Sequence, residues 1–328
     1  MKLYSNENNK RLISLMTTKG REPHSVIITG ERGSGRRTLA RYLAASVMCE
    51  KHSGEPCGVC KSCRMIKDGN HPDLITAAAN ENGNYKLDDI RQLVSDSVIK
   101  PNEGSFKVYV IPDFDRSVNT AVQVQNVLLK FIEEPPPHCI VILTSATKEI
   151  FLPTVLSRCI ILGTEHCSRR DAEEWLTLAG GFGQDDIIRA VSCCGGNFGR
   201  CLEFLNGGDL PAAFEYAKQT AEAIMSADEY LILKILTACE KKPVLRQTLV
   251  FLSEMLRGAA VMSLGLTPED CCWEKGASRL AEKLGGEKAQ SLYDTVTGYI
   301  GRIDANCNQS LTVNSLTGEL AIQLITDS

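Results

Sequence analysis

The stretch Thr29-Gly30-Glu31-Arg32-Gly33-Ser34-Gly35-Arg36-Arg37-Thr38 constrains this chain more than any other. Gly30 and Gly35 keep the spacing of the phosphate loop G-x-x-x-x-G-K-[ST], in which backbone N–H groups wrap a phosphate, a lysine reaches its oxygens and a hydroxyl holds Mg²⁺. Such a loop must leave a strand and open a helix. Val26-Ile27-Ile28 supplies the strand, and the apolar spacing of 39–47 supplies the helix. The working side chains are replaced, however. Arg36 stands at the lysine position and Arg37 at the hydroxyl position. Thr38 follows one residue late, which on a helix turns a side chain about 100° away. The scaffold of a nucleotide site is present without its chemistry.

Short β-branched runs at 25–29, 73–76, 106–111, 139–144 and 159–162 predict strands. Helical spacing at 39–49, 88–99, 119–133 and 152–158 alternates with them. That alternation predicts a parallel sheet covered on both faces. Glu134-Pro135-Pro136-Pro137 ends the third of these helices, since proline cannot continue it. Beyond residue 163 the β-branched runs stop. Helical spacing follows at 169–179, 184–192 and 198–205, then, after the Asn206-Gly207-Gly208-Asp209 linker, at 211–225, 228–239, 244–264, 277–284, 287–305 and 313–325. The expected domains are 1–163 (α/β), 164–207 (small helical) and 208–328 (all-helical).

Charge adds little. Residues 1–163 carry 21 Lys/Arg against 17 Asp/Glu, and the remainder 15 against 23, within a net charge of −4. A weakly basic first half permits a phosphate-facing surface without demanding one. No apolar run approaches the roughly 18 residues of a membrane span. Most of the 14 cysteines lie in apolar periodic segments, as reduced thiols do. A cytoplasmic protein is expected.

Four cysteines stand apart. Cys49, Cys57, Cys60 and Cys63 form C-x7-C-x2-C-x2-C among turn-forming Gly54, Pro56 and Gly58. Thiolates so spaced suit tetrahedral Zn²⁺, and four of them leave no open coordination position, so the expected role is structural. A free-standing zinc-dependent nucleic-acid module is disfavoured, because few cationic or aromatic residues surround the quartet. Nearby His52 and His71 are read as surface or capping residues.

In an intact nucleotide hydrolase a second strand ends in acidic residues that hold Mg²⁺. Here Lys107-Val108-Tyr109-Val110-Ile111 runs into Pro112-Asp113-Phe114-Asp115, with Pro112 at the metal-holding position. Asp113 and Asp115 read as turn or cap residues. Ser157-Arg158-Cys159 joins a helix to the last strand, where an arginine complements a helix C-terminus or reaches a neighbour's γ-phosphate.

Taken jointly, five blocks resemble the delta-prime family of bacterial DNA polymerase III clamp-loader subunits, which belongs to the AAA+ proteins. They are the 30–38 loop; the 49–63 cysteines with His71-Pro72-Asp73; Gln125-Asn126-Val127-Leu128-Leu129-Lys130 with Glu133-Glu134-Pro135-Pro136; Thr144-Ser145 at the sensor-1 region; and Leu152-Pro153-Thr154-Val155-Leu156-Ser157-Arg158-Cys159. The resemblance implies an AAA+ P-loop-type α/β domain carrying a zinc module, a helical lid and an all-α collar joining a ring of subunits. It implies a subunit that helps place a sliding clamp on primed DNA, alongside tau/gamma ATPases and a delta subunit. Arg158 would act in trans as an arginine finger. Gly30, Gly33, Gly35, Arg36, Arg37 and Thr38 would form a degenerate loop that binds ATP weakly or not at all. Arg200, in Gly196-Asn197-Phe198-Gly199-Arg200, falls one place later than the lid arginine of tau/gamma relatives. The competing reading is an active ATPase of tau/gamma type.

Overall fold

Strands form where β-branched and aromatic runs can be buried on both faces, and the central ones here are largely apolar and almost wholly buried. A computed structural model describes residues 3–18, 22–81, 83–116, 121–165, 167–268 and 271–325. The expected helix start at 119–120 lies outside them. The chain divides into two compact units, Met1–Cys167 and Ser168–Ser328.

The first unit holds α1 (Glu7–Thr18), β1 (Ser25–Thr29), α2 (Arg36–Val47), α3 (Lys61–Asp68), β2 (Leu74–Thr76), α4 (Leu87–Asp96), β3 (Lys107–Ile111), α5 (Ala121–Glu133), β4 (Cys139–Ser145), α6 (Pro153–Leu156) and β5 (Ile160–Gly163). All strand pairs are parallel, in the order β2-β3-β4-β1-β5. Ser25 pairs with Val141 and Lys107 with Cys139, so the C-terminal ends of β1, β3 and β4 lie side by side. That edge is where parallel sheets bind ligands.

Side chains alternate across the sheet and build two cores. Val26, Ile28, Val108, Ile140 and Ile142 pack with Ile13 of α1, Leu39 and Leu43 of α2, and Ile66 of α3. Ile27, Tyr109, Ile111, Val141 and Leu143 pack on the other face with Ile90 and Leu93 of α4, Leu128 and Phe131 of α5, and Val155 of α6. Each aliphatic side chain fully buried this way contributes about 1.5–3 kcal/mol.

The second unit is all helical: α7 (Arg169–Ala179), α8 (Gln184–Cys194), α9 (Phe198–Leu205), α10 (Asp209–Met225), α11 (Glu229–Ala238), α12 (Lys242–Ser263), α13 (Glu274–Asp304) and α14 (Gln309–Ile325). Side-chain caps from Ser168, Asn197 and Asp228 start α7, α9 and α11. Gly285, at φ 72°, breaks α13 between the two segments expected there. No helix among the described residues is long and apolar enough to cross a membrane.

Asp73, just before β2, ties the loop entering β3. Its carboxylate is fully buried and accepts from the Asn102 N–H (2.7 Å), the Asn102 side-chain amide (3.0 Å) and the Glu103 N–H (2.7 Å). Burial pushes its pKa up, but these donors outweigh burial and hold it below the ordinary carboxylate value. A depressed folded-state pKa stabilises the fold above the ordinary carboxylate value and is lost as pH falls toward and through the depressed one. Asp73→Asn, which presents donors to donors, is expected to lower stability by about 2–3 kcal/mol at neutral pH. It should also flatten part of the acid limb of the urea midpoint measured between pH 6 and 3; an unchanged midpoint and an unchanged acid limb would refute this role.

Candidate functional site

β1 ends at Thr29 and the chain turns through 30–35 before Arg36 opens α2. The loop is packed by its own neighbours. A Cβ on Gly30 would lie 1.8 Å from Thr164 Oγ1, so only glycine fits beneath that residue. Ser34 Oγ and Thr164 Oγ1 share a hydrogen bond of 2.8 Å, and the Gly30 N–H donates to Ser145 O at 3.2 Å. Gly35 keeps the left-handed backbone (φ 90°) that starts the helix.

At the lysine position, Arg36 is only 6% exposed. Its Nη2 meets Asp113 Oδ1 at 3.0 Å and its Nη1 meets Asp115 Oδ1 at 3.1 Å. Arg37 Nη2 reaches Asp113 Oδ2 at 2.5 Å. Two arginines therefore face two carboxylates, and the formal charges cancel within the site. Asp113 and Asp115, read from sequence as turn or cap residues, are the counter-ions of the altered loop. Asp113 adopts the left-handed region (φ 51°) and donates its N–H to Thr144 Oγ1 at 2.9 Å. Asp115 Oδ1 also accepts the Ala146 N–H at 2.8 Å. The Tyr85 hydroxyl donates to Pro112 O and fixes the end of β3. One network thus joins the start of α2 to the ends of β3 and β4. Thr38 lies in the first turn of α2.

The cysteines come together as the spacing predicts. The Sγ atoms of Cys49, Cys57, Cys60 and Cys63 lie within 4.8 Å of one another, so the four thiols can hold a metal ion. Tetrahedral Zn–S bonds of about 2.3 Å place sulfurs roughly 3.8 Å apart, within a modest contraction of this cluster. Backbone N–H groups already point at sulfur: Cys57 to Cys49 (3.5 Å), Cys60 to Cys57 (3.3 Å) and Cys63 to Cys60 (3.4 Å). The Val59 and Cys60 N–H groups draw the Cys57 thiol down to about 6, while burial pushes Cys63 up to about 12. The module is fastened to α1 and α2. Thr17 Oγ1 donates to Gly54 O (3.2 Å), and Arg41 Nη2 donates to Ile66 O (2.6 Å) and Lys67 O (3.2 Å). A Cβ on Gly54 (φ 85°) would strike Ser14 Oγ at 2.3 Å. His71 is buried rather than on the surface, with burial lowering its pKa and its Nδ1 accepting the Asp73 N–H at 3.1 Å.

Arg158 follows the short α6 and is 43% exposed. Its Nη1 donates to Thr154 O (3.0 Å) and to Ser157 Oγ (3.2 Å), and its Nε lies 3.2 Å from Glu133 Oε1. The helix-complementing geometry and an outward guanidinium are therefore both present. Fully buried Gln125 anchors the preceding turn by donating to Ile150 O (3.1 Å) and accepting the Leu152 N–H (2.6 Å). Cys159 packs among apolar neighbours, and burial pushes its thiol up to about 12. Arg200 lies in the helical unit, with Nη2 3.5 Å from Gln247 Oε1 and its guanidinium over the Phe251 ring.

A five-stranded parallel sheet in this order, with a phosphate loop after β1 and helices on both faces, defines an AAA+-type module. Residues 5–167 match the family model described as DNA polymerase III, delta subunit, and the match ends where the first unit ends. The chain belongs to that family of clamp-loader subunits. It is 31% identical over 171 residues to the delta' subunit of Pseudomonas aeruginosa, covering 51% of each chain. Against the Escherichia coli delta' subunit it is 27% identical over 219 residues, covering 66% of this chain and 65% of the other. Against the Escherichia coli tau subunit it is 37% identical over 142 residues, covering 43% of this chain and 21% of the other. The chain thus spans half to just under two thirds of these delta' relatives and about a fifth of tau.

Arg36→Ala leaves Asp115 without its cation and Asp113 with only the exposed Arg37, and is expected to destabilise the first unit by about 3 kcal/mol. Arg37→Ala, at a side chain 65% exposed, should cost less than about 1 kcal/mol. Urea unfolding of the two variants checks this; equal losses would refute a buried role for Arg36.

Proposed function

We propose that this chain is a delta-prime-type clamp-loader subunit that turns over no nucleotide of its own and presents Arg158 to ATP bound by a neighbouring tau/gamma-type subunit. The observation that carries the reading is the Arg36 guanidinium shared between Asp113 and Asp115. At the position of the phosphate-binding lysine stands a cation already neutralised by its own chain. Just after the metal-holding position stand carboxylates already committed to arginine. A triphosphate would have to displace both, and Mg²⁺ would find Pro112 where a carboxylate is needed. Gly30 then closes a packed turn beneath Thr164, and Gly33 and Gly35 supply its positive-φ backbone, rather than a phosphate cradle.

In that role the chain's residues position and stiffen. The Arg36–Asp113–Asp115 network holds the ends of β3 and β4 against α2 without a ligand. Ser157 and Thr154 orient Arg158, whose charge would stabilise the γ-phosphoryl group as it leaves a neighbour's ATP, an effect worth about 10³-fold or more at the site it faces. Cys49, Cys57, Cys60 and Cys63 would hold one zinc ion, which supplies a cross-link between the end of α2 and α3. The helical unit, divided into lid (164–207) and collar (208–328), would join the ring. Delta-type and tau/gamma-type subunits, the sliding clamp and primed DNA are the partners, in the cytoplasm. Arg200, engaged within the helical unit, is not assigned a sensor role.

An active ATPase of tau/gamma type is the second reading, favoured by the 37% identity to a tau subunit and by the retained loop glycines. Equilibrium titration of the purified chain with labelled ATP and Mg²⁺ separates the two. No saturation at millimolar ATP is expected, whereas micromolar Mg²⁺-dependent affinity would establish the second. In the assembled complex Arg158→Ala should abolish hydrolysis at the adjoining site and slow clamp loading; unchanged turnover would overturn the trans role. Elemental analysis should find about one zinc per chain, and Cys60→Ser should lose it and lower the thermal midpoint. Metal-free protein of unaltered midpoint would count against the metal assignment.

A further inference from the structure

Glu133 closes α5, where the carbonyl end of the helix dipole disfavours a carboxylate by about 0.3–1 kcal/mol. The Arg158 guanidinium offsets that penalty, with Nε 3.2 Å from Glu133 Oε1. Guanidinium carries five N–H donors. Those on Nη1 are directed to Thr154 O and Ser157 Oγ, Nε lies within ion-pair distance of Glu133 Oε1, and Nη2 makes no hydrogen bond or ion pair among the described residues. The side chain is held along one side and open on the other. Its open side retains two N–H groups for an incoming oxyanion. Ser157 is fixed in turn, donating its hydroxyl to Thr154 O at 3.1 Å. Glu133 sits 25 residues before Arg158 in sequence, and it is the only one of these three anchors outside the α6 turn.

We infer that Glu133 is the positioning residue of the trans arginine: it fixes the torsions of Arg158 so that Nη2 faces outward before a neighbour's ATP arrives. This rests on the proposed role of Arg158. A guanidinium tethered at Nε swings about fewer bonds, so less rotamer freedom is lost when the phosphoryl group engages it. The contact acts on the turnover step, because the oxyanion charge that Arg158 answers grows as the phosphoryl group leaves.

The test is single-turnover and steady-state ATP hydrolysis by the chain assembled with tau/gamma-type and delta-type subunits, sliding clamp and primed DNA. Four versions are compared: unaltered, Glu133→Ala, Arg158→Ala, and both together. Glu133→Ala should lower kcat at the adjoining site on the order of fivefold with KM unchanged, the effect of an exposed ion pair worth up to about 1 kcal/mol. In the Arg158→Ala background it should have no further effect. Glu133→Gln keeps an acceptor and should recover part of the loss, with the thermal midpoint unaltered in both. A normal kcat in Glu133→Ala alongside a lost one in Arg158→Ala would overturn the positioning role and leave the finger standing. A raised KM, or an added loss in the double variant, would overturn it as well. Normal turnover in Arg158→Ala would sink the finger and the role of Glu133 together.

Discussion

The guanidinium of Arg36 is the point on which the ligand-binding edge of the sheet turns. Its two nitrogens lie between Asp113 and Asp115, and each aspartate passes the connection on, one to Thr144 through its own N–H and the other to the Ala146 N–H. Three segments that a nucleotide would otherwise draw together are joined by charge-assisted bonds inside the protein. Such a pair is costly to desolvate, and its worth lies in the damage that removing one partner does. The edge is therefore built to remain in one arrangement.

That fixed edge gives meaning to what lies beyond it. Arg158 stands in the segment 152–159, whose start is pinned by buried Gln125 and whose end enters β5. Its backbone is thus anchored on both sides, while its guanidinium remains half exposed. The cysteine quartet serves the same end from the opposite direction. It lies between α2 and α3, and Arg41 and Thr17 fasten it to the sheet's covering helices. Loop, cysteine cluster and outward arginine are three parts of one module.

Much of this was legible because it is local. The periodicities marked all five strands and the helices of the second unit, since a strand buried on both faces is largely apolar, as in Cys139–Ser145, where five apolar residues precede Thr144 and Ser145. The break at Gly285 was legible from the two glycines between helical segments. Two helices escaped. Glu7–Thr18 is largely polar and is held by the burial of Ile13 and Thr17, whereas Lys61–Asp68 spans only two turns and is started by the Cys60 sulfur accepting the Cys63 N–H. Neither has a stripe long enough to announce itself. His71 escaped for a similar reason, its burial being a property of the surrounding packing.

The sequence by itself determined that a phosphate loop had lost its lysine and hydroxyl, that four cysteines would converge, and that an α/β half precedes a helical one. Each is a matter of spacing along the chain, where backbone geometry leaves few alternatives. Only the tertiary structure decided where the substituted arginines direct their charge. Asp113 and Asp115 lie 77 and 79 positions from Arg36, and Glu133 lies 25 from Arg158. Ion pairs form between whichever ends the sheet order brings together, and that order comes from burying both faces at once, which no single segment encodes.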